Sequence, residues 1–103
     1  MNNKAHTGQL TEQQRFDIRA EFQAREIEEH KYYLSEKYGY DVGIEKTTLD
    51  WIDSGHAERF AERFSHNEEN IVTYYARNSH AKHTESNGYH FSIEEIHYLL
   101  GDV

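Results

Sequence analysis

The feature that most constrains this chain is the complete absence of proline from its 103 residues. Proline ends or kinks helices, and few stretches here alternate apolar and polar residues as strands do. The sequence therefore predicts an all-α fold. We expect a small three- to four-helix bundle built on a long antiparallel helical hairpin. Residues 1–10 are predicted to be a flexible N-terminal segment, and residues 11–103 a single helical domain.

The first helix has a clear predicted start and end. Thr11 and Gln14 are spaced as a capping box, and Gly39 is a candidate left-handed cap at the other end. Between them, one set of apolar positions recurs at helical spacing and forms the expected core face. Its members are Phe16, Ala20, Ala24, Ile27, His30, Leu34 and Tyr38, and a narrower stripe on nearly the opposite side holds Ile18, Phe22 and Tyr33.

The second helix is predicted to begin with Asp41 as its N-cap and to run to residue 64, with a bend near Ser54 and Gly55. Ile44 and Trp51 lie on the side opposite its predicted core face, and Trp51 is therefore expected to be covered by the C-terminal helix or by a partner. That core face consists of Val42, Leu49, Ile52, His56, Phe60 and Phe64.

Two further capping patterns follow. Ser65 with Glu68 predicts the start of a third helix with Ile71, Val72 and Tyr75 as its apolar positions, and Ser92 with Glu95 predicts a short C-terminal helix. In that last helix Phe91 and Ile96 occupy the positions of a hydrophobic staple, and Leu99 and Leu100 extend the apolar face. The polar stretch 78–91 between these helices is expected to be a loop.

Composition excludes several classes of function. Eleven basic residues against 19 acidic ones give a net charge of −8, which argues against direct binding to nucleic acid or to an anionic membrane. The absence of cysteine excludes disulfides, cysteine-based zinc sites and thiol catalysis. No apolar run suggests a signal peptide or a membrane span, so we expect a cytoplasmic protein. Leu, Ile, Val and Phe make up about a fifth of the chain, which predicts a modest core that another chain could complete.

Eight histidines raise the question of a metal site. His80, His83 and His90 are the weak candidates, but no metal-binding signature accompanies them, and solvated loop histidines are the favoured interpretation. The sequence thus predicts neither a metal centre nor a cofactor. His30 and His56 each lie on an apolar face; we expect two core or boundary histidines, with a shared functional site as the less favoured alternative.

No nucleophile elbow, phosphate loop or dinucleotide fingerprint is present, so the chain is not expected to be an enzyme. The remaining signal is an aromatic and apolar cluster near residues 32–51, because tyrosine and tryptophan are enriched at binding surfaces. Packing of the corner itself is the equally weighted alternative. The predicted partner-binding residues are Tyr32, Tyr33, Tyr40, Ile44 and Trp51.

The same segment contains a predicted structural corner between the first two helices. Gly39 ends one helix, Asp41 caps the next, and Gly43 allows close approach of a neighbouring group. Ser35 and Glu36 are placed to bond the amides at the start of the second helix. We expect the corner to act as a polar latch.

The stretch HKYYLSEKYGYDVGIEKTTLDW, followed by HAERF, resembles a pattern in uncharacterised bacterial proteins, some of them in families of unknown function. The resemblance covers residues 28–64. It implies a bacterial origin and one recurring structural unit, and it carries no activity to transfer. The positions that carry it are His30, Ser35, Glu36, Gly39, Asp41, Gly43, Asp50 and Trp51.

These observations favour a small acidic adaptor or regulatory protein that acts through contact with another protein or with a second copy of itself. Two alternatives stay open. One is a histidine-dependent protein that binds a metal or a small ligand. The other is an acidic inhibitor that occupies the basic nucleic-acid-binding surface of a target protein.

Overall fold

The computed structural model of the chain describes residues 10–82 and 90–101, with only the backbone for residues 79–82. The predicted flexible segment 1–10 therefore lies almost wholly outside the described residues. Within them the fold is all-α, as predicted, and it contains four helices. Their bounds are α1 Glu12–Tyr38, α2 Ile44–Asp53, α3 His56–Lys82 and α4 Ile93–Leu99.

Helix α1 begins and ends where the sequence predicted. Thr11 Oγ1 accepts a hydrogen bond from the Gln14 backbone N–H at 3.0 Å, and Gln14 Oε1 accepts one from the Thr11 N–H at 2.9 Å. At the other end Gly39 takes φ 83°, and its N–H donates to the Ser35 carbonyl. Both ends are thus fixed by local hydrogen bonds.

The corner differs from its prediction in four respects. The N-cap of α2 is Gly43, at φ 85°, and not Asp41; the Asp41 carboxylate instead accepts the Gly43 N–H at 3.0 Å and lies 3.4 Å from Lys31 Nζ. Glu36 accepts a bond from the Tyr32 hydroxyl rather than from an amide. No atom approaches the position that a Cβ on Gly43 would take, so this glycine is required for its backbone angle and not for a close contact. Ser35 Oγ accepts the N–H of Val42, the residue before this N-cap, and not an amide of α2 itself.

The predicted bend at Ser54 and Gly55 is a complete break. Gly55 has φ 90°, and α3 starts at the next residue. The predicted helix start at Ser65 is wrong, because α3 continues through it, and Glu68 pairs with Arg15 of α1 rather than completing a box. The helix also extends to Lys82, into the predicted loop 78–91, of which residues 83–89 lie outside the described residues.

Helices α1 and α3 form the long antiparallel hairpin. As residue numbers increase along α1, the numbers of the residues that they contact on α3 decrease: Arg15 contacts Glu68, Phe22 contacts Phe64, and His30 contacts His56. The second arm of the hairpin is therefore α3, and the short helix α2 packs beside it. The molecule is elongated, at 54 × 26 × 25 Å.

The core face of α1 combines the two predicted stripes: Ile27 and Leu34 come from the expected core face, and Ile18 and Phe22 from the narrower stripe. Phe22 is fully buried, with its ring edge-on to Phe64 and Phe91, whereas Phe16 is exposed. Ala20 and Ala24 offer little apolar area, so burial of Phe22 with Ile18 contributes more free energy than burial of the alanine stripe. One apolar cluster joins all four helices: Ile18, Phe22, Ile27, Trp51, Phe60, Phe64, Ile71, Phe91, Ile96, Leu99 and Leu100.

Helix α4 docks through its start, as the capping box and staple predicted. Ser92 and Glu95 exchange the expected hydrogen bonds, and both Phe91 and Ile96 are buried. Two side chains of α1 fix the preceding backbone: Glu21 accepts the Phe91 N–H, and Arg25 donates to its carbonyl. This docking brings α4 against the middle of α1.

Candidate functional site

Exposed apolar side chains are concentrated at one end of the molecule. Among the described residues, nine large apolar or tyrosine side chains are exposed, and seven of them lie between positions 32 and 52. Single exposed apolar residues are normal, whereas a local concentration makes this end a candidate binding surface. The seven are Tyr32, Tyr33, Tyr38, Tyr40, Ile44, Leu49 and Ile52.

Helix α2 presents three of these residues to solvent. Its inner side is held by Trp51 and Thr47, and the Thr47 hydroxyl donates to the Gly43 carbonyl at 2.7 Å. At about 100° per residue, Leu49 and Ile52 lie on the side away from these two residues, whereas Ile44 follows the Trp51 side at the first turn and is nevertheless exposed. We call the set Ile44, Leu49 and Ile52, which are 51%, 62% and 52% exposed, the α2 face.

This arrangement reverses the predicted orientation of α2. Trp51 is only 4% exposed, and its ring lies 5.8 Å from that of Phe60. It is therefore a core residue and not part of a partner-binding surface, and it is covered from within the bundle rather than by a partner. Leu49 and Ile52, which were expected in the core, are exposed. An indole buries a larger area than either aliphatic side chain alone, which favours Trp51 on the inner side.

The tyrosines form two separate groups. Tyr38 and Tyr40 lie next to α2, because the Lys46 ammonium sits 5.1 Å from the Tyr38 ring. Tyr32 and Tyr33 contact each other on α1 at 5.7 Å. The predicted partner-binding tyrosines Tyr32, Tyr33 and Tyr40 are therefore all exposed, and Tyr40 is connected to α2 through its contact with Tyr38.

The corner itself is a charged groove of about 480 Å³ lined by Glu28, Lys31, Tyr32, Ser35 and Asp41. The Gly43 N–H and then Lys31 lower the pKa of the Asp41 carboxyl. The hydrogen bond to Glu36 raises the pKa of the Tyr32 hydroxyl. Lys31, Tyr32, Ser35 and Asp41 each have a hydrogen-bond or ion-pair partner at the corner, which supports a structural role.

A second cluster lies at the other side of α2. His30 Nε2 is 2.8 Å from Asp50 Oδ2, and the His30 ring contacts the His56 ring at 4.9 Å between centroids. His56 Nδ1 in turn lies 2.9 Å from an Arg59 guanidinium nitrogen. Burial lowers the pKa of His56, and the charges of His30 and Arg59 lower it further.

A third group, on α1 and α4, adjoins these histidines. His97 Nε2 lies 2.8 Å from Glu29 Oε1 and 4.0 Å from Glu26 Oε2, while Arg63 lies 3.9 Å from the other Glu26 oxygen. A cavity of about 140 Å³ separates this group from the histidine pair. Its lining residues are Glu26, Glu29, His30, Tyr33, Trp51 and His56.

The histidines that converge are not those the sequence singled out as metal candidates. His83 and the side chain of His80 lie outside the described residues, and His90 is an exposed residue 3.7 Å from Glu21. The structure brings together His30 and His56, the pair considered as a less favoured shared site, and adds His97. The spacing of Glu26, Glu29 and His30 places them on one side of α1, which is a signal that the sequence did contain.

Comparisons with protein-family models, with curated proteins and with solved structures found no match. The resemblance of residues 28–64 to uncharacterised bacterial proteins therefore stays a prediction. No helix in the described part of the chain is long and apolar enough to cross a membrane.

Proposed function

We propose that this chain is a small acidic adaptor or regulatory protein that acts through protein–protein contact and has no catalytic activity of its own. The observation that carries the proposal is the exposure of Ile44, Leu49 and Ile52 together on a ten-residue helix. Its location in the cytoplasm stays a prediction from the sequence.

The α2 face has the composition of an interface centre. Full burial of a leucine or isoleucine side chain contributes about 1.5–3 kcal/mol, so covering this face would supply a large share of a binding free energy. Tyr38 lies beside Lys46 of α2 and contacts Tyr40, and tyrosine is a frequent hot-spot residue. An apolar α2 face with amphipathic tyrosines nearby resembles protein interfaces, which have an apolar centre and a more polar rim.

Charge favours a basic partner over a second copy of the chain. On the helical wheel Glu45 lies between Ile52 and Leu49, with Asp53 at the margin. The whole chain has a net charge of −8, so two copies meeting here would bring like charges together. We therefore infer an occupant that presents apolar side chains, such as one face of an amphipathic helix, flanked by lysine or arginine residues.

Affinity capture with matched variants tests this proposal. The double variant Leu49→Glu/Ile52→Glu removes the apolar centre of the α2 face, whereas Phe16→Glu changes an equally exposed residue, 66% exposed, near the far end of α1. We expect a partner from the source cells to be retained by the wild type and by Phe16→Glu, and lost by the double variant.

The retained partner should carry a basic surface, and its retention should fall as salt rises from about 0.05 to about 0.5 M. Equal retention by all three proteins would contradict the assignment of the α2 face. Self-association that only the double variant abolishes would instead assign the face to a second copy.

A further inference from the structure

We propose that Glu26, Glu29 and His97 form a binding site for one divalent transition-metal ion, with zinc as the reference metal. Nothing in the proposed adaptor function requires this site, and the two can be tested separately. The site differs in every residue from the histidines at 80, 83 and 90 that the sequence suggested.

The three side chains converge from two helices. Glu26 and Glu29 are three residues apart on α1 and thus share a side of that helix, and His97 reaches them from α4. One ligand atom from each lies within 4.8 Å of the other two. The ligand atoms are therefore assembled by the docking of α4 and not by a flexible loop.

The distances suit a tetrahedral ion with small side-chain adjustments. Zinc bonds of about 2.0–2.2 Å to nitrogen and oxygen place neighbouring ligand atoms about 3.3–3.5 Å apart. His97 Nε2 is 2.8 Å from the Glu29 oxygen and 4.0 Å from the Glu26 oxygen, so the two separations lie on either side of that value. A metal would replace the proton that His97 and Glu29 share in its absence.

The donor set selects the class of ion. One imidazole nitrogen with two carboxylates suits zinc and neighbouring transition metals better than calcium or magnesium, which prefer oxygen alone. Three protein ligands also leave a position open for water or for a further ligand. Arg63, 3.9 Å from the second oxygen of Glu26, would orient that carboxylate from outside the ligand shell.

A cavity of about 140 Å³ adjoins the proposed site. Two of the three ligands, Glu26 and Glu29, line it, and His30 and His56 form its opposite wall. The cavity leaves room beside the ligands for a water molecule at the open coordination position. The proposed ion would therefore lie next to open space and not within a closed ion pair.

Titration of metal-free, untagged full-length protein with zinc chloride by calorimetry tests the proposal. We expect one equivalent to bind to the wild type and the affinity to fall at least tenfold in Glu29→Gln and in His97→Gln. Glu29→Gln keeps an acceptor for the His97 N–H, so it separates loss of the ligand from loss of α4 docking. His66→Gln, at an exposed position of α3, is the matched control and should bind as the wild type does.

A second readout uses Trp51, the only tryptophan of the chain, which lines the same cavity. Addition of Cu²⁺ or Ni²⁺ should quench its fluorescence in the wild type and not in Glu29→Gln. Three results would each overturn the proposal: no zinc binding by the wild type, undiminished binding by both ligand variants, or loss of binding in His90→Gln. If the wild type binds zinc but captures no partner, the adaptor proposal is contradicted and the metal-site proposal is not.

Discussion

At the scale of single residues, the histidines show how the environment sets the role of a side chain. His56 and His97 both lie beside carboxylates or histidines contributed by other helices, yet their surroundings differ. His97 faces Glu26 and Glu29, whereas His56 faces another imidazole and the Arg59 guanidinium. The two carboxylates beside His97 suit a bound metal cation. The imidazole and the guanidinium beside His56 oppose protonation of His56.

His56 gives a prediction of pH dependence. Burial, His30, Arg59 and Arg63 lower its pKa in the folded protein below the ordinary 6.5, against an opposing effect of Asp50. Between the lowered pKa and 6.5 the unfolded chain then binds more protons than the folded one, so the free energy of unfolding rises with pH in that window.

In His56→Gln this contribution disappears. The stability advantage of the wild type over the variant should therefore be smaller at about pH 5.5 than at about pH 7.5 in urea titrations. An advantage that is constant, or that grows as the pH falls, would show that His56 is not the group responsible.

At the scale of helices, local signals were predictable and orientations were not. The boxes at Thr11 and Ser92 were predicted because they depend on residues three positions apart. Ser65 and Glu68 have the same spacing, but Glu68 forms an ion pair with Arg15 across the hairpin, and α3 continues through Ser65. Trp51 was misassigned because α2 has apolar residues on two sides, and only packing against α1 and α3 decides between them.

The break between α2 and α3 gives a prediction at this scale. Gly55 has φ 90°, a region that costs other residues about 1–2 kcal/mol, and an added Cβ would lie 3.2 Å from Arg59 Nη1. Gly55→Ala should therefore lower the free energy of unfolding by about 1–2 kcal/mol.

The control for that change is Ser54→Ala, because Ser54 has an ordinary φ of −85° and a weak side-chain bond at 3.5 Å. Its effect should be well below that of Gly55→Ala when both are measured by thermal or urea unfolding. Equal stability of Gly55→Ala and the wild type would mean that the break between α2 and α3 does not require the positive φ of Gly55.

At the scale of the whole molecule, the long helices α1 and α3 form an antiparallel hairpin, and one end of it bears most of the exposed apolar residues among the described ones. Composition predicted the thin aliphatic core and the acidic charge, and aromatic rings fill much of that core. The meeting of Glu26 and Glu29 with His97 could not be predicted, because these residues are about 70 positions apart and α4 has to dock before they meet.

The oligomeric state gives a prediction at this scale. A net charge of −8 opposes pairing of two identical acidic ends, so light scattering at micromolar concentration and low salt should give the monomer mass of 12.3 kDa. A mass of twice that value would contradict the charge argument. The variant Leu49→Glu/Ile52→Glu would then decide whether the α2 face forms the dimer.

The central claim is that the α2 face binds a partner, and the most direct test is the dissociation constant of the captured partner for three purified proteins. We expect Leu49→Glu/Ile52→Glu to bind at least about 100-fold more weakly than the wild type, a loss of about 2.7 kcal/mol, and Phe16→Glu to bind as well as the wild type. Equal dissociation constants for the double variant and the wild type would contradict it.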